Sequence, residues 1–299
     1  MTHTISRRRF LKGLLGGALA VSLPPLYATH VEPEWLAVTH TSITLPNLPP
    51  AWDGLTLVQL SDIHLGSGIE LDTVRRAVAL ANAAAPDLVV LTGDFVTGEA
   101  RRSREVATAL AELRSRYGSY AVLGNHDVWT GTAVVAANLE DVGISVLRDQ
   151  RVALEHDGAR LWFLGIEDRG YTAFSSPRGC GDCVAFQAAW APARDSLAGL
   201  LDDIPPDEPR LLLVHNPDFT EMLPEGRVDL ALCGHTHGGQ VQLPLVGAPF
   251  VPSCWGQKFV EGWVQGATTQ VYVNRGLGTT GPALRFNCRP EITVLRVEG

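Results

Sequence analysis

The chain has 299 residues, 45% of them hydrophobic, and a formal net charge of −8. This size and composition allow a sizeable core, in one large domain or two small ones. The acidic balance, with no stripe of clustered basic residues along the main body, excludes the electrostatic pattern of a nucleic-acid-binding protein. We therefore expect no nucleic-acid partner.

The N-terminus combines a basic stretch with an apolar one. Arginines 7–9 and Lys12 precede a Gly- and Ala-rich apolar run at residues 13–23. This layout is typical of an export signal, and the paired arginines followed by Phe-Leu-Lys resemble a signal read by the twin-arginine export machinery. The run is shorter than the roughly 20 residues of a spanning helix, so a membrane-surface helix is the alternative.

A clear A-x-A cleavage site does not follow the apolar run. Residues 1–30 are therefore predicted to be either a cleaved signal or a retained anchor in the inner membrane. The expected location is outside the cytoplasm, in the periplasm or an equivalent compartment, unless a retained anchor keeps the protein facing inward. A retained anchor adds a membrane association through the N-terminal segment. The sequence does not determine the oligomeric state.

The remaining chain is predicted to form a Pro-rich lead-in at residues 31–50, with one exposed strand, and a single α/β domain at residues 51–299. Strands alternating with helices favour a layered α/β arrangement, and the second half is richer in strands. Asp157-Gly158 is expected to be the turn of a hairpin, and residues 168–192 an irregular segment. The predicted strands are 55–60, 87–91, 120–123, 144–147, 151–154, 161–165, 211–214, 230–233, 270–274 and 292–297, and the predicted helices are 72–85, 104–117, 132–142 and 193–201.

The five cysteines do not form a zinc-binding pattern, because the Cys180–Cys183 pair has no second close pair. A surface disulfide and two free thiols remain equally open for that pair. A redox protein built on this pair is the weakest alternative, because the surrounding region does not suggest a helix opening after a strand. Cys233 lies in an apolar run and is predicted to be a small buried residue.

Polar residues follow five of the predicted strands, at the point where each strand ends. These strands run into the stretches SDIH (61–64), GD (93–94), GNHD (124–127), HN (215–216) and GHTH (234–237). Taken singly, an Asp in such a place often caps the next helix, and a lone His is usually an ordinary hydrogen-bonded group. Taken together they hold five of the nine histidines, and sites gather at the carboxyl ends of strands in α/β sheets.

Oxygen and imidazole donors without a thiolate suit divalent ions of the first transition row. Two ions about 3.5–4 Å apart can clamp a phosphate and lower the pKa of a water between them. We therefore predict a centre of two divalent ions, with Mn²⁺ favoured and Fe, Zn²⁺ or Mg²⁺ as alternatives. The predicted substrate is a phosphate ester.

In this order, the five motifs resemble the calcineurin-like metallophosphoesterase superfamily. The pattern D-x-H, G-D, G-N-H-[DE], H and G-H-x-H is complete between Asp62 and His237. The GHTHGGQ form, the C-terminal tail and the N-terminal signal are similar to an exported bacterial YaeI/YkuE-like phosphodiesterase subgroup. The resemblance implies an α/β fold that is a four-layer α/β/β/α sandwich of two mixed sheets.

The resemblance also implies a role for each motif residue. The implied ligands are Asp62, His64 and His237 for the first metal, Asn125, His215 and His235 for the second, and Asp94 for both. His126 would not bind metal but would lie over the phosphate and protonate the leaving oxygen. Asp127 would orient His126. A metal-bridging hydroxide would attack the phosphorus.

The implied reaction is the hydrolysis of a phosphodiester or pyrophosphate, with a lipid-linked or UDP-sugar-lipid molecule as one candidate substrate. Tyr171, Phe174, Phe186 and Trp190 could form an apolar lid for it, or could pack their own segment down. The alternative function is a non-catalytic metal-binding scaffold of the same fold. Residues 276–281 match G-x-G-x-x-G but precede no helical pattern, so we expect a glycine-rich loop at the rim of the metal site instead of a dinucleotide site.

Overall fold

The computed structural model describes residues 24–172, 183–224 and 228–299. The apolar run at residues 13–23, Phe174 and Cys180 therefore lie outside the described residues, and the predictions for the export signal and the Cys180–Cys183 pair stay predictions. Among the residues that the structure describes, no helix is both long and apolar enough to cross a membrane.

The domain contains four longer helices and twelve strands within the described residues. The helices are α1 Leu71–Ala83, α2 Ser103–Leu110, α3 Asn125–Glu140 and α4 Cys183–Leu201. The strands are β1 Ala37–Thr44, β2 Leu55–Leu60, β3 Leu88–Thr92, β4 Ser119–Val122, β5 Ser145–Val146, β6 Gln150–His156, β7 Ala159–Ile166, β8 Arg210–Val214, β9 Leu230–Cys233, β10 Gly262–Gln265, β11 Gln270–Val273 and β12 Glu291–Glu298.

The strands form two six-stranded mixed sheets. The first has the order β1-β12-β2-β3-β4-β5, with the pair β12–β2 antiparallel and the other pairs parallel. The second has the order β10-β11-β9-β8-β7-β6, antiparallel at both edges and parallel in the middle. The strands that carry the five motifs, β2, β3, β4, β8 and β9, therefore all belong to parallel stretches.

Three separate apolar clusters account for the four layers. One cluster lies between the two sheets and includes Leu57, Val90 and Leu213. A second joins the first sheet to helices α1–α3, and a third joins the second sheet to α4. Burial of both faces of each sheet explains why the central strands are continuous apolar runs without alternation. The predicted four-layer α/β/β/α sandwich is confirmed.

The sequence patterns misplaced several elements. Helix α3 begins at Asn125, seven residues before the predicted start, because its first turn is made of the polar motif itself, and Gly131 at φ 149 interrupts its regular geometry. Helix α4 is described from Cys183, although residues 168–192 were expected to be irregular, and it retains Pro192 inside. The expectations also omitted strand β10.

The aromatic residues proposed for a lid belong mostly to the core. Phe186 and Trp190 are fully buried and stack on each other with ring centroids 5.5 Å apart. Tyr171 packs on the same cluster, and its carbonyl oxygen accepts a hydrogen bond from the Trp190 indole at 3.1 Å. Among the described aromatics, the alternative that they pack their own segment down is therefore the correct one.

Candidate metal centre

The carboxyl ends of the motif-bearing strands converge on one site between the two sheets. Five residues there, Asp62, His64, Asp94, His235 and His237, adopt positive φ angles between 49° and 74°. A left-handed backbone is costly for residues other than glycine, and such strain clusters at functional sites. The backbone turns sharply at each of these residues, so that its side chain points back into the site.

Two motif glycines are required by close contact. A Cβ atom on Gly124 would lie 2.2 Å from Oδ1 of Asp94, and one on Gly234 would lie 2.3 Å from Oδ2 of Asp62. Both distances are shorter than real Cβ contacts allow. The glycines of GNHD and GHTH therefore make room for the two buried carboxylates.

The first group of side chains consists of Asp62, His64 and His237, all buried. Nε2 of His237 lies 3.3 Å from Oδ1 of Asp62 and 3.0 Å from Nε2 of His64. The Asp62 carboxylate also accepts hydrogen bonds from the His235 main-chain N–H at 3.0 Å and the Ser61 hydroxyl at 2.5 Å. These bonds fix the carboxylate in the site.

The second group consists of Asp94, His215 and His235, also buried. Oδ2 of Asp94 lies 3.1 Å from Nε2 of His215 and 3.3 Å from Nε2 of His64, which belongs to the first group. One carboxylate oxygen thus contacts both groups. The other oxygen accepts the main-chain N–H of His126 at 2.8 Å, which holds the carboxylate between them.

Three of the four histidine rings in the two groups are held from outside the site, while Nδ1 of His237 has no hydrogen-bond partner within the described residues. Nδ1 of His64 lies 2.8 Å from the Thr97 hydroxyl, and Nε2 of His235 lies 2.6 Å from the Thr172 hydroxyl. Nδ1 of His215 donates to the Thr92 carbonyl oxygen at 2.6 Å. Each ring therefore directs its other nitrogen towards the centre, as metal-binding histidines do. The sequence did not predict the roles of these three threonines, because a hydroxyl or carbonyl group that bonds to a distant ring carries no local signal.

Asn125 adds an oxygen to this set. Its side chain is buried, and its Oδ1 has no hydrogen-bond partner within the described residues. An unpaired buried acceptor is costly unless a ligand completes it. Together with two buried carboxylates and inward-facing imidazoles, this oxygen fits divalent metal ions well. Candidate metal ligands are therefore present on both sides of Asp94.

The electrostatics of the metal-free site point to the same conclusion. Burial raises the pKa of Asp94, but the neighbouring His215 and His64 more than compensate and hold it well below its usual range. Burial favours neutral His215, yet Asp94 and Asp62 raise its pKa well above the ordinary value. The site is therefore a compact set of negative carboxylates that stabilises positive charge.

His126 lies at the edge of this set and is half-buried. Its ring is perpendicular to the His64 ring at 4.7 Å and close to the Trp129 ring at 4.8 Å between centroids. It can form a third group with His64 and Asp94. Burial lowers its pKa, an effect that the negative Asp94 partly offsets.

Asp127 differs from its predicted role. Its oxygens accept the main-chain N–H groups of Phe95 at 2.9 Å, Val96 at 3.2 Å and Gly124 at 3.0 Å. The carboxylate thus joins the loop after β3 to the start of α3, instead of bonding to the His126 ring. It fixes the backbone on which Asp94 and His126 stand, and burial raises its pKa to about 7.

A cavity of about 610 Å³ opens over the ligands. Its floor includes Asp94, Asn125, His126, His235 and His237, while its walls are largely apolar. The apolar wall residues are Trp129, Val241, Pro249, Phe250, Pro252, Pro282 and Leu284. Much of this wall comes from residues 239–252, which motif analysis did not single out because they carry no charged or metal-binding side chain.

The glycine-rich loop at residues 276–281 lies where it was expected. The main-chain N–H of Leu277 donates to the Ser61 carbonyl at 2.9 Å, and that of Gly278 donates to the Asp62 carbonyl at 2.7 Å. The fully buried Arg285 guanidinium donates to the carbonyls of Arg275 and Gly276 at 2.9 and 3.1 Å. The loop therefore supports Asp62 from behind.

This chain is similar in sequence to known proteins of one family. A family model described as calcineurin-like phosphoesterase matches residues 55–239. An uncharacterized metallophosphoesterase of Bacillus subtilis, YkuE, is 33% identical over 303 residues, covering 98% of both chains. The phosphodiesterase YaeI of Escherichia coli is 32% identical over 302 residues, covering 98% of this chain and 99% of its own. The matched region contains all five motifs.

Proposed function

The chain belongs to the calcineurin-like phosphoesterase family and is a metal-dependent hydrolase of phosphoric esters, and from this premise we propose that it is a phosphodiesterase or pyrophosphatase with two metal ions. The observation that carries the proposal is the position of Asp94, whose Oδ2 lies 3.3 Å from His64 and 3.1 Å from His215. One carboxylate between two groups of ligands is the arrangement that a two-ion centre needs.

The proposed ligands follow the two groups. Asp62, His64 and His237 would hold the first ion, Asn125, His215 and His235 would hold the second, and Asp94, which lies between the two groups, would contribute to both. When bound, the two ions activate a water for attack and neutralise charge on the phosphate. Mn²⁺ is the proposed metal because the donor set mixes carboxylate, amide and imidazole, with Fe, Zn²⁺ and Mg²⁺ as the other candidates.

His126 is the proposed acid for the leaving group. It faces the cavity beside the ligands. No group among the described residues forms a hydrogen bond with its ring, so the ring is available to a substrate oxygen. In that position it neutralises charge on the phosphate and protonates the departing oxygen, an effect of about 10²–10⁴-fold in typical enzymes. Asp127 contributes by fixing the backbone turn that carries His126.

The apolar walls of the cavity support a lipid-linked substrate. A volume of about 610 Å³ lies within the range of ligand pockets, and its polar groups are concentrated at the floor. A phosphate on the floor would place its substituent against Val241, Phe250 and Leu284. A lipid-linked phosphodiester or a UDP-sugar-lipid pyrophosphate has such an apolar substituent, and export by a twin-arginine signal to the periplasm would bring the enzyme to substrates of this kind.

A hydrolysis panel tests the proposed function. The full chain, loaded with Mn²⁺, is assayed on an aryl phosphomonoester, an aryl phosphodiester and a UDP-diacylglucosamine-type pyrophosphate, with Asp94→Asn as the inactive control. We expect hydrolysis of the diester or the pyrophosphate to exceed that of the monoester. Two bound ions without hydrolysis of any of the three would instead support the non-catalytic scaffold.

A further inference from the structure

An uncharged hairpin projects beside the cavity. It spans residues 241–250 and is called the 241–250 hairpin below. Residues 238–257 contain no Asp, Glu, Lys, Arg or His, although 19% of the whole chain is charged. Leu245 is fully exposed, and Val246 and Phe250 are 63% and 52% exposed. Scattered apolar side chains are normal on a surface, but a cluster of them marks an interaction site.

The tip of this hairpin has a defined shape. Leu243 and Gly247 exchange two main-chain hydrogen bonds, both of 2.9 Å, which close the turn. Leu245 occupies the tip at φ 68°, a conformation that a leucine adopts with strain. A closed turn thus presents a strained leucine to solvent where glycine or asparagine would fit more easily. Backbone strain of this kind is found more often at functional sites than elsewhere, which makes the exposed tip a candidate contact site.

The base of the hairpin is bonded to the neighbouring loop. The main-chain N–H of Gln242 donates to the Phe286 carbonyl at 2.8 Å, and that of Phe286 donates to the Gln240 carbonyl at 2.9 Å. Val241 and Phe250 line the cavity, whereas Leu245 and Val246 do not. The base of the hairpin therefore forms part of the cavity wall, while the exposed side chains at its tip lie outside the cavity lining.

The described end of the N-terminal segment, residues 24–30, is bonded to the same loop. The main-chain N–H of Arg285, next to Phe286, donates to the Ala28 carbonyl at 2.8 Å. Leu26, close to the first described residue, is 53% exposed. The apolar run at residues 13–23 directly precedes it in the sequence. At Ala28 the described chain is thus bonded to the loop that also holds the base of the hairpin.

We propose that the 241–250 hairpin docks on a lipid bilayer, so that the cavity mouth opens at the membrane surface and an apolar chain of the substrate enters from the bilayer. The substrate part of this inference rests on the proposed function, but the docking does not. Because the hairpin is uncharged and the chain carries a net charge of −8, insertion of apolar side chains drives the contact, without attraction to anionic lipid.

A dye at the hairpin tip tests the docking directly. An environment-sensitive fluorophore is attached to the full chain at Leu245→Cys or, as a control, at Leu80→Cys on helix α1. Wild-type protein treated with the same label measures the background from its own cysteines. With phosphatidylcholine vesicles, we expect a blue shift and quenching by bromolipid at position 245 alone, unchanged by salt. Three results would overturn the proposal. The first is an equal response at both positions, and the second is a response that requires anionic lipid. The third is a fluorescence shift that appears without vesicles when the protein concentration is raised.

Activity measurements test the entry of substrate. The double variant Leu245→Asp/Val246→Asp should lower hydrolysis of a phosphodiester lipid in vesicles by about tenfold or more. Its hydrolysis of a soluble aryl phosphodiester should stay within about twofold of wild type, and Leu80→Asp should change neither. Equal loss on both substrates would contradict entry from the bilayer. If the wild-type chain hydrolyses no phosphate ester, the proposed function fails while the dye still decides the docking.

Discussion

His215 donates from Nδ1 to the main-chain carbonyl oxygen of Thr92 at 2.6 Å, and this bond turns Nε2 towards Asp94. A carbonyl oxygen can only accept, so Nδ1 must carry hydrogen in every protonation state. Although burial opposes it, the negative Asp94 and Asp62 raise the pKa of His215 well above its ordinary value, which favours a proton on Nε2 as well. A metal ion at this nitrogen must displace that proton.

Metal affinity should therefore rise with pH. Below the raised pKa of His215, the ion that this residue would hold competes with a proton, and its apparent affinity should increase by about tenfold per pH unit for each proton displaced. Calorimetric titration of Mn²⁺ in buffers of different ionisation enthalpy measures the protons released. Binding at pH 6 as tight as at pH 8, without proton release, would show that His215 is not a ligand.

Asp94→Asn should lose metal from both halves of the centre. The amide keeps the size of the carboxylate but removes the charge between His64 and His215. We expect less than one ion per chain by elemental analysis and loss of hydrolysis. His237→Asn is the comparison, since His237 contacts only the first group and its replacement should leave one ion bound. Retention of two ions in Asp94→Asn would exclude a bridging role.

His126→Ala should separate turnover from metal binding. The ring faces the cavity, and the main-chain N–H that supports Asp94 remains in the variant. Turnover of an ester with a poor leaving group should fall by about 10²–10⁴-fold, with less loss for an aryl ester whose leaving group needs no proton. Two ions should remain by elemental analysis. Loss of an ion instead would place His126 among the ligands, in the group it can form with His64 and Asp94.

The sequence predicted the chemistry of the site better than its walls. Asp62, His64 and the GHTH pair were recognisable because residue type and position at strand ends both carry information. Thr172, which contacts His235, and the 241–250 hairpin were not, because apolar and hydroxyl side chains acquire a role only through contacts between segments distant in the chain. Asp127 shows the same limit, since its position in GNHD was evident but its bonds to distant amides were not.

Asp127→Ala should destabilise the fold. It would remove the acceptor of three main-chain N–H groups, those of Phe95, Val96 and Gly124, in a buried place. Buried unpaired amides cost about 1–3 kcal/mol each, so we expect a loss of about 3 kcal/mol or more in the free energy of unfolding. Urea denaturation of the metal-free protein measures it. Wild-type stability with reduced turnover would mean that Asp127 acts on His126 after all.

Asp218 gives a stability prediction away from the metal centre. Burial raises its pKa to about 7, although its oxygens accept hydrogen bonds from the Ser253 hydroxyl at 2.5 Å and the Cys254 main-chain N–H at 2.6 Å. The ionised carboxylate therefore costs stability above about pH 7. That cost decreases as the pH falls towards about 4, the pKa of an aspartate in the unfolded state, because the folded state takes up the proton first.

Asp218→Asn should remove this pH dependence. The amide oxygen can accept from Cys254 and the amide nitrogen can donate to Ser253, whose hydroxyl rotates, so both contacts survive. Relative to wild type, the free energy of unfolding of the variant should be higher by about 1 kcal/mol at pH 5 and by about 4 kcal/mol at pH 8. Urea titrations of the metal-free protein at both pH values give the difference, and the exposed Asp195→Asn serves as control. An equal wild-type-to-variant difference at both pH values would show that Asp218 stays ionised throughout.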